Sequence, residues 1–285
     1  MKNSKIDSLA IVEPGAQIGN DVTIEPFAVV KANVILHDRV VIKSHAYIDG
    51  FTTVGADTVI WPGAVIGTKP QDLKYRGEKT YVEIGKNCQI REYVTVNSSC
   101  GKESVVKIGD NCLLMANCHV AHNCVIGNNV IMANSSMLAG HVKVEDFAII
   151  GGFTPVHQYT KIGCYSMVGG FSRVPLDVPP YIIGGDVPFR VAGLNRVGLR
   201  RHQFPLEVRL ALAKAFRITY RMNLRLSEAL KKIEEEVFPY PEVRHWLDFC
   251  TTSKRGLIDL GGITKKSCEE SAETADEIES FAENG

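Results

Sequence analysis

His119 and His122 lie close together in the stretch NCHVAHNCVIG (117–127), and His141 and His157 follow it. An imidazole with its ordinary pKa of about 6.5 can accept a proton near neutrality. Two chemistries suit such a set. One histidine can serve as general base toward a poor nucleophile such as a hydroxyl. Three converging histidines can instead hold a zinc ion. Both require that the chain bring these side chains to one place.

The elements that would do so are written in a period of six. Counting in sixes from Val12 to Val174 gives 28 positions, and 25 of them are Ile, Val, Leu or Met; the exceptions are Asp72, Glu78 and Lys102. A column of average composition would be about half apolar. A helix or an ordinary strand does not produce this period, whereas a parallel β-helix does. Two residues before the apolar position stands a small or β-branched residue, such as Ala28, Ala46, Cys88, Cys112, Cys118 or Cys124. Such side chains fit a corner where the chain turns and the interior is crowded. Glycine often follows the apolar residue, as in Ile18-Gly19, Val54-Gly55, Ile66-Gly67 and Ile126-Gly127. A tight turn there is expected to need a positive φ.

This repeat resembles that of the hexapeptide-repeat acyltransferases. The resemblance implies a left-handed parallel β-helix, a three-sided prism with three hexads per coil. Residues 12–174 would then make nine such coils. Val120, Leu138 and Val156 are spaced by three hexads and would stack on one face. His122, His141 and His157 would therefore lie near one edge of successive coils.

Length and composition set the rest. A chain of 285 residues suits one large domain plus a smaller one. A formal net charge of zero argues against nucleic acid as a partner. No apolar run of about 18 residues is present to span a membrane, and the N-terminus lacks an apolar signal core, so a cytoplasmic protein is expected. Cys88, Cys112, Cys118 and Cys124 fall in the small-residue column and no CxxC pair occurs. They read as free thiols in the core, with no metal and no cofactor expected.

The all-β prism is expected over 1–180, interrupted by loops near 67–83 and 97–107 and ended by DVPPYIIGGDVP (177–188), where a proline pair breaks the ladder. Loop residues released from coil packing are free to bind. A small α-helical domain is expected over 181–260. Apolar spacing of three and four marks a helix over 206–222. Ser227 is expected to cap a second helix, and Pro241 to open a third. Lys214, Arg217 and Arg221 share one helix face, which can be a solvated face or a docking patch. The tail, 261–285, is acidic and expected to be disordered.

Seven stretches occur in order: IGTKPQDLKYRGE, NCHVAHNCVIG, MLAGHVKVEDFAIIGG, PVHQYTKIG, SMVGG, DVPPY and GLNRVGLRR. Together, over roughly residues 5–260, they resemble the UDP-N-acetylglucosamine O-acyltransferase family of lipid A synthesis. The resemblance implies transfer of a fatty acyl chain from acyl carrier protein to the sugar 3-hydroxyl, within a homotrimer. It implies His122 as catalytic base and the Gly140 amide as oxyanion donor. Gly140 lies three hexads after His122, hence above it on the next coil. His119, His141, His157 and Gln158 match substrate contacts. Asp72 and Lys74 match loop residues that hold the sugar nucleotide, and Asn195, Arg200 and Arg201 match or neighbour its nucleotide region. Gly170 matches a position that limits acyl length, and its missing side chain implies a longer chain. Asn123 departs from the acidic residue that follows the base in several relatives. It can accept a hydrogen bond but cannot stabilise an imidazolium by charge.

Other readings share the repeat. The acceptor could be an amino analogue of the sugar nucleotide. A CoA-dependent transferase of small groups is disfavoured by the helical domain and by Gly170. A zinc hydratase would use His122, His141 and another histidine as ligands, and a non-enzymatic scaffold would leave the histidine edge unexplained.

Overall fold

The computed structural model describes residues 2–260; the acidic tail expected over 261–285 lies outside the described residues. The hexads form two-residue strands such as Gln17–Ile18, Thr23–Ile24 and Val29–Val30. Each strand pairs in parallel with a strand of the next coil, for example Val29 with Tyr47 and Val59 with Val41. Three parallel sheets thus wall a prism. Its core combines the two sequence columns: Ile42, Ile60, Ile90, Val40 and Cys88 are wholly buried. Cys112, Cys118 and Cys124 are buried free thiols in the same core. Burial pushes the Cys124 thiol up to about 12.

The coils number one fewer than the nine expected. A regular step from one coil to the next advances three hexads, as from Val29 to Tyr47. Across the first loop the step from Val65 to Thr95 is two hexads longer. Across the second, the step from Thr95 to His119 is one hexad longer. The loops therefore hold one coil's worth of chain outside the ladder.

Glycine's role in the turns also differs from expectation. Positive φ falls two residues later, on Asp21, Arg39, Asn87, Asn111 and Asn129 among others, and Gly67 is an exception with φ of 80°. Asn and Asp tolerate this region because a short polar side chain can bond locally. Aromatic residues at that position stack between coils, as Phe147 does on Tyr165 at 4.7 Å and Phe153 on Phe171 at 5.1 Å. The glycine instead allows close approach. A Cβ on Gly109 would lie 2.6 Å from the carbonyl carbon of Gly127.

The proline pair does not end the prism. Pro179 and Pro180 occupy a turn, and Ile182–Gly185 adds one more parallel strand beside Met167–Val168. Arg190–Leu194 then returns antiparallel. Four helices follow: α1 (Arg196–Arg201), α2 (Leu206–Arg221), α3 (Leu226–Glu236) and α4 (Pro241–Thr251). Pro241 opens α4 as expected. Ser227 does not cap α3, which begins one residue earlier; Glu228 instead accepts the Arg225 N–H at 3.0 Å. Trp246 is fully buried between α2 and α4 and donates to Thr219 Oγ1 at 3.2 Å. Among the described residues no helix is long and apolar enough to cross a membrane.

Candidate active site

One corner of the prism gathers the residues of interest. The turns at 121–124, 139–142 and 157–160 stack there, and the two loops, 69–80 and 98–104, leave the ladder at the same corner. Asp72, carried by the first loop, thereby reaches a histidine far along the sequence: its Oδ2 lies 3.5 Å from His122 Nε2. Glu78 ties the loops together, accepting the Arg76 N–H at 2.7 Å and the Gly101 N–H at 2.8 Å. Its own backbone amide, and then these two, hold its carboxyl below the usual range.

His122 is held on its other ring nitrogen. Asn123 Oδ1 lies 2.8 Å from His122 Nδ1. The Asn123 amide is itself fixed by Cys100, whose N–H it accepts at 3.2 Å and whose carbonyl it meets through Nδ2 at 3.0 Å. With Oδ1 as acceptor, His122 carries its proton on Nδ1, and Nε2 is left free as a base.

Gly140 lies over that base, one coil on. A Cβ there would sit 2.5 Å from His122 Nε2. The Gly140 N–H has no hydrogen-bond partner among the described residues. In three other turns the amide at the same position binds a carboxylate: Glu13 takes the Ala32 N–H at 3.2 Å, Glu25 that of Ser44 at 3.1 Å and Glu145 that of Cys164 at 2.9 Å. The residue corresponding to these glutamates at Gly140 is Ala121. The turn therefore presents an anion-binding amide with no protein anion on it, beside a free imidazole nitrogen.

The remaining histidines divide. His141 meets His122 edge-on with ring centroids 5.2 Å apart and stacks on Tyr159 at 4.4 Å. Burial, and then the charge of His122, push its pKa down. His119 stands on the flat face beside the corner, with Thr95 Oγ1 2.7 Å from its Nδ1. Burial lowers its pKa too. His157 and Gln158 lie one coil beyond and are exposed; His157 Nδ1 faces the Gln158 carbonyl at 3.1 Å. Lys74 is exposed on the first loop, its N–H bound to Asp72 Oδ1 at 2.8 Å.

Gly170 lies at the other corner of the face that carries His119, three coils on or about 14 Å along the axis. Met137 lies between them, 44% exposed. Asn195 is far from the base: it is buried, caps α1 by accepting the Gly198 N–H at 3.0 Å and donates to the Tyr165 carbonyl at 2.8 Å. Arg200 and Arg201 are exposed in the last turn of α1. Thr95, Tyr159 and Cys100 were not singled out from sequence. Tyr159 could have been, because it follows His141 by three hexads. Thr95 is hidden by the second loop, which puts an extra hexad between it and His119.

Comparison with known proteins fits this geometry. A family model described as UDP-N-acetylglucosamine O-acyltransferase, domain 2, matches residues 177–258, and one for the bacterial transferase hexapeptide matches 106–140. The acyl-[acyl-carrier-protein]–UDP-N-acetylglucosamine O-acyltransferase of Chlamydia caviae is 56% identical over 255 residues, 89% of this chain and 91% of that protein. The structure of a UDP-N-acetylglucosamine acyltransferase from Bacteroides fragilis superposes with a TM-score of 0.87 at 42% identity, covering 89% of this chain and 99% of that one. The corresponding Campylobacter jejuni structure gives 0.85 at 38%, covering 90% and 100%. The chain thus has the left-handed parallel β-helix of these proteins and belongs to the acyl-[acyl-carrier-protein]–UDP-N-acetylglucosamine O-acyltransferase family.

Proposed function

We propose that the chain transfers a fatty acyl group from acyl carrier protein to the 3-hydroxyl of UDP-N-acetylglucosamine, the first step of lipid A biosynthesis, as a cytoplasmic homotrimer. The observation that carries the mechanism is the juxtaposition of Gly140 and His122: an unpartnered amide N–H and a free Nε2 on adjacent coils.

His122 Nε2 takes the hydroxyl proton as the sugar oxygen attacks the thioester carbonyl. The developing oxyanion is received by the Gly140 N–H. Collapse of the tetrahedral intermediate breaks the C–S bond, and the imidazolium returns its proton to the leaving thiolate. Attack is direct, with no acyl-enzyme. Asn123 is neutral, so the charge that steadies the imidazolium comes from Asp72, whose Oδ2 is 3.5 Å from Nε2.

His119, held by Thr95, and His141, stacked on Tyr159, stay neutral and offer ring nitrogens to the substrates. Lys74 and the exposed His157 and Gln158 complete the polar surface around the sugar nucleotide. Arg200 and Arg201 pair with its phosphates, and Asn195 holds the helix that carries them. The acyl chain runs along the face from His119 toward Gly170, where no side chain stops it.

The test is transfer to UDP-N-acetylglucosamine from acyl carrier proteins loaded with a ladder of chain lengths, for the wild type and His122→Ala. Transfer that falls about 10²–10⁴-fold in the variant supports the reading. A folded wild type with no transfer to the hydroxyl rejects it.

A further inference from the structure

The glutamates that bind turn amides are not all neutralised in the same way. Lys31 and Lys43, each one coil on, pair with Glu13 and Glu25. At Glu145 the corresponding residue is Gly163. Its partner comes instead from α4: His245 Nε2 lies 2.7 Å from Glu145 Oε2. The Cys164 thiol joins them, and a carboxylate oxygen, the sulfur and a ring nitrogen all lie within 4.8 Å of one another.

A further carboxylate, outside that trio, is carried by α4. Glu242 lies one turn before His245 on the same face of α4. Its Oε2 is shut off from solvent and makes no hydrogen bond among the described residues. Tyr181 packs against His245 with ring centroids 6.4 Å apart.

We propose that Glu145, Cys164 and His245, with Glu242 as the fourth ligand, form a zinc site that staples α4 to the last coils of the prism. Sulfur, imidazole nitrogen and carboxylate oxygen are the three donor types zinc accepts, at about 2.0–2.3 Å. The thiolate and imidazole disfavour magnesium and calcium. On binding, zinc replaces the thiol proton and the proton between His245 and Glu145; the S–Zn and N–Zn bonds form as both protons leave to solvent. The staple adjoins Tyr165, whose carbonyl receives Asn195, so it would brace the helix that bears Arg200 and Arg201. No short motif announces it, because the ligands come from positions 145, 164, 242 and 245.

The full chain, stripped with chelator, would be titrated with cobalt and with zinc. One equivalent of cobalt is expected to give a thiolate-to-cobalt charge-transfer absorption, lost in Cys164→Ala and in His245→Ala. Zinc is expected to raise Tm by several degrees, reversibly with chelator, and Glu242→Gln to weaken binding about tenfold. Wild-type protein with neither absorption nor Tm shift would overturn the proposal, leaving a proton shared between His245 and Glu145. Absorption that persists in Cys164→Ala would overturn it as well, since another thiol would then be the ligand.

Discussion

Asn123 Oδ1 lies 2.8 Å from His122 Nδ1 while the same amide brackets both backbone groups of Cys100. A carboxylate could accept the Cys100 N–H but would face its carbonyl with a second acceptor. The amide is thus suited to a turn that the second loop covers. Its neutrality leaves Asp72 as the acidic neighbour of the base. Asn123→Asp adds a negative charge on Nδ1, which favours the imidazolium. The rising limb of its kcat/KM profile is expected to move to higher pH. An unmoved limb would mean that Asn123 does not touch the base in solution.

Asp72→Asn should slow the reaction, because it removes the carboxylate that lies 3.5 Å from His122 Nε2, where the imidazolium would form. The loss is expected in kcat. A loss confined to KM would assign Asp72 to substrate binding alone.

Gly140→Ala tests the oxyanion corner. Gly140 does not have a positive φ, so backbone strain is not the obstacle. A methyl there would meet the imidazole at Nε2, 2.5 Å away, and must displace it. Activity is expected to fall by about 10²–10⁴, the range for loss of a general base. Thermal unfolding followed by circular dichroism should change little. A variant of near-normal rate would show that the base lies elsewhere.

Much of this architecture could be read from spacing, because a period of six leaves each side chain only one of a few places. The stacking of His122 under Gly140 follows from a separation of three hexads and survives in the structure. What spacing could not convey is where chain leaves the period. The loops shift Thr95 to His119 out of step and carry Asp72 to His122, and no periodic argument predicts the path of a loop. The glycine expectation failed for a different reason: the turn's left-handed residue comes two places later, and its demands are met by Asn, Asp and stacked aromatics. Asn195 is legible only as part of a motif, and its engagement with Gly198 and Tyr165 is seen only in the structure.

Burial lowers the pKa of His119, so the folded state holds that ring neutral where the unfolded chain would charge it. Below the ordinary value of about 6.5 the unfolded state binds the extra proton, and stability rises with pH across that window. The contribution is lost as pH falls from the unfolded value to the folded one, and is flat below it. His119→Gln should flatten the part of the Tm–pH curve just under 6.5. Thr95→Val removes the hydroxyl at Nδ1 and should raise KM while leaving that curve's shape in place.

On the proposed path, Gly170 is where a side chain would stop the acyl chain. A Cβ there would lie 3.4 Å from the Gly152 carbonyl, an ordinary contact, and the residue is exposed, so a side chain can be added without refolding the coil. Gly170→Met would place a flexible apolar obstacle about 14 Å along the axis from His119. The ladder of acyl carrier proteins should then peak at shorter chains than for the wild type, because each methylene that cannot be buried forfeits about 0.8 kcal/mol. Transfer of the shortest donors should be unaffected, since they end before Gly170. An unchanged preference would place the end of the groove elsewhere, and a uniform loss at every length would mean that the substitution disturbs the coil instead of the chain's path.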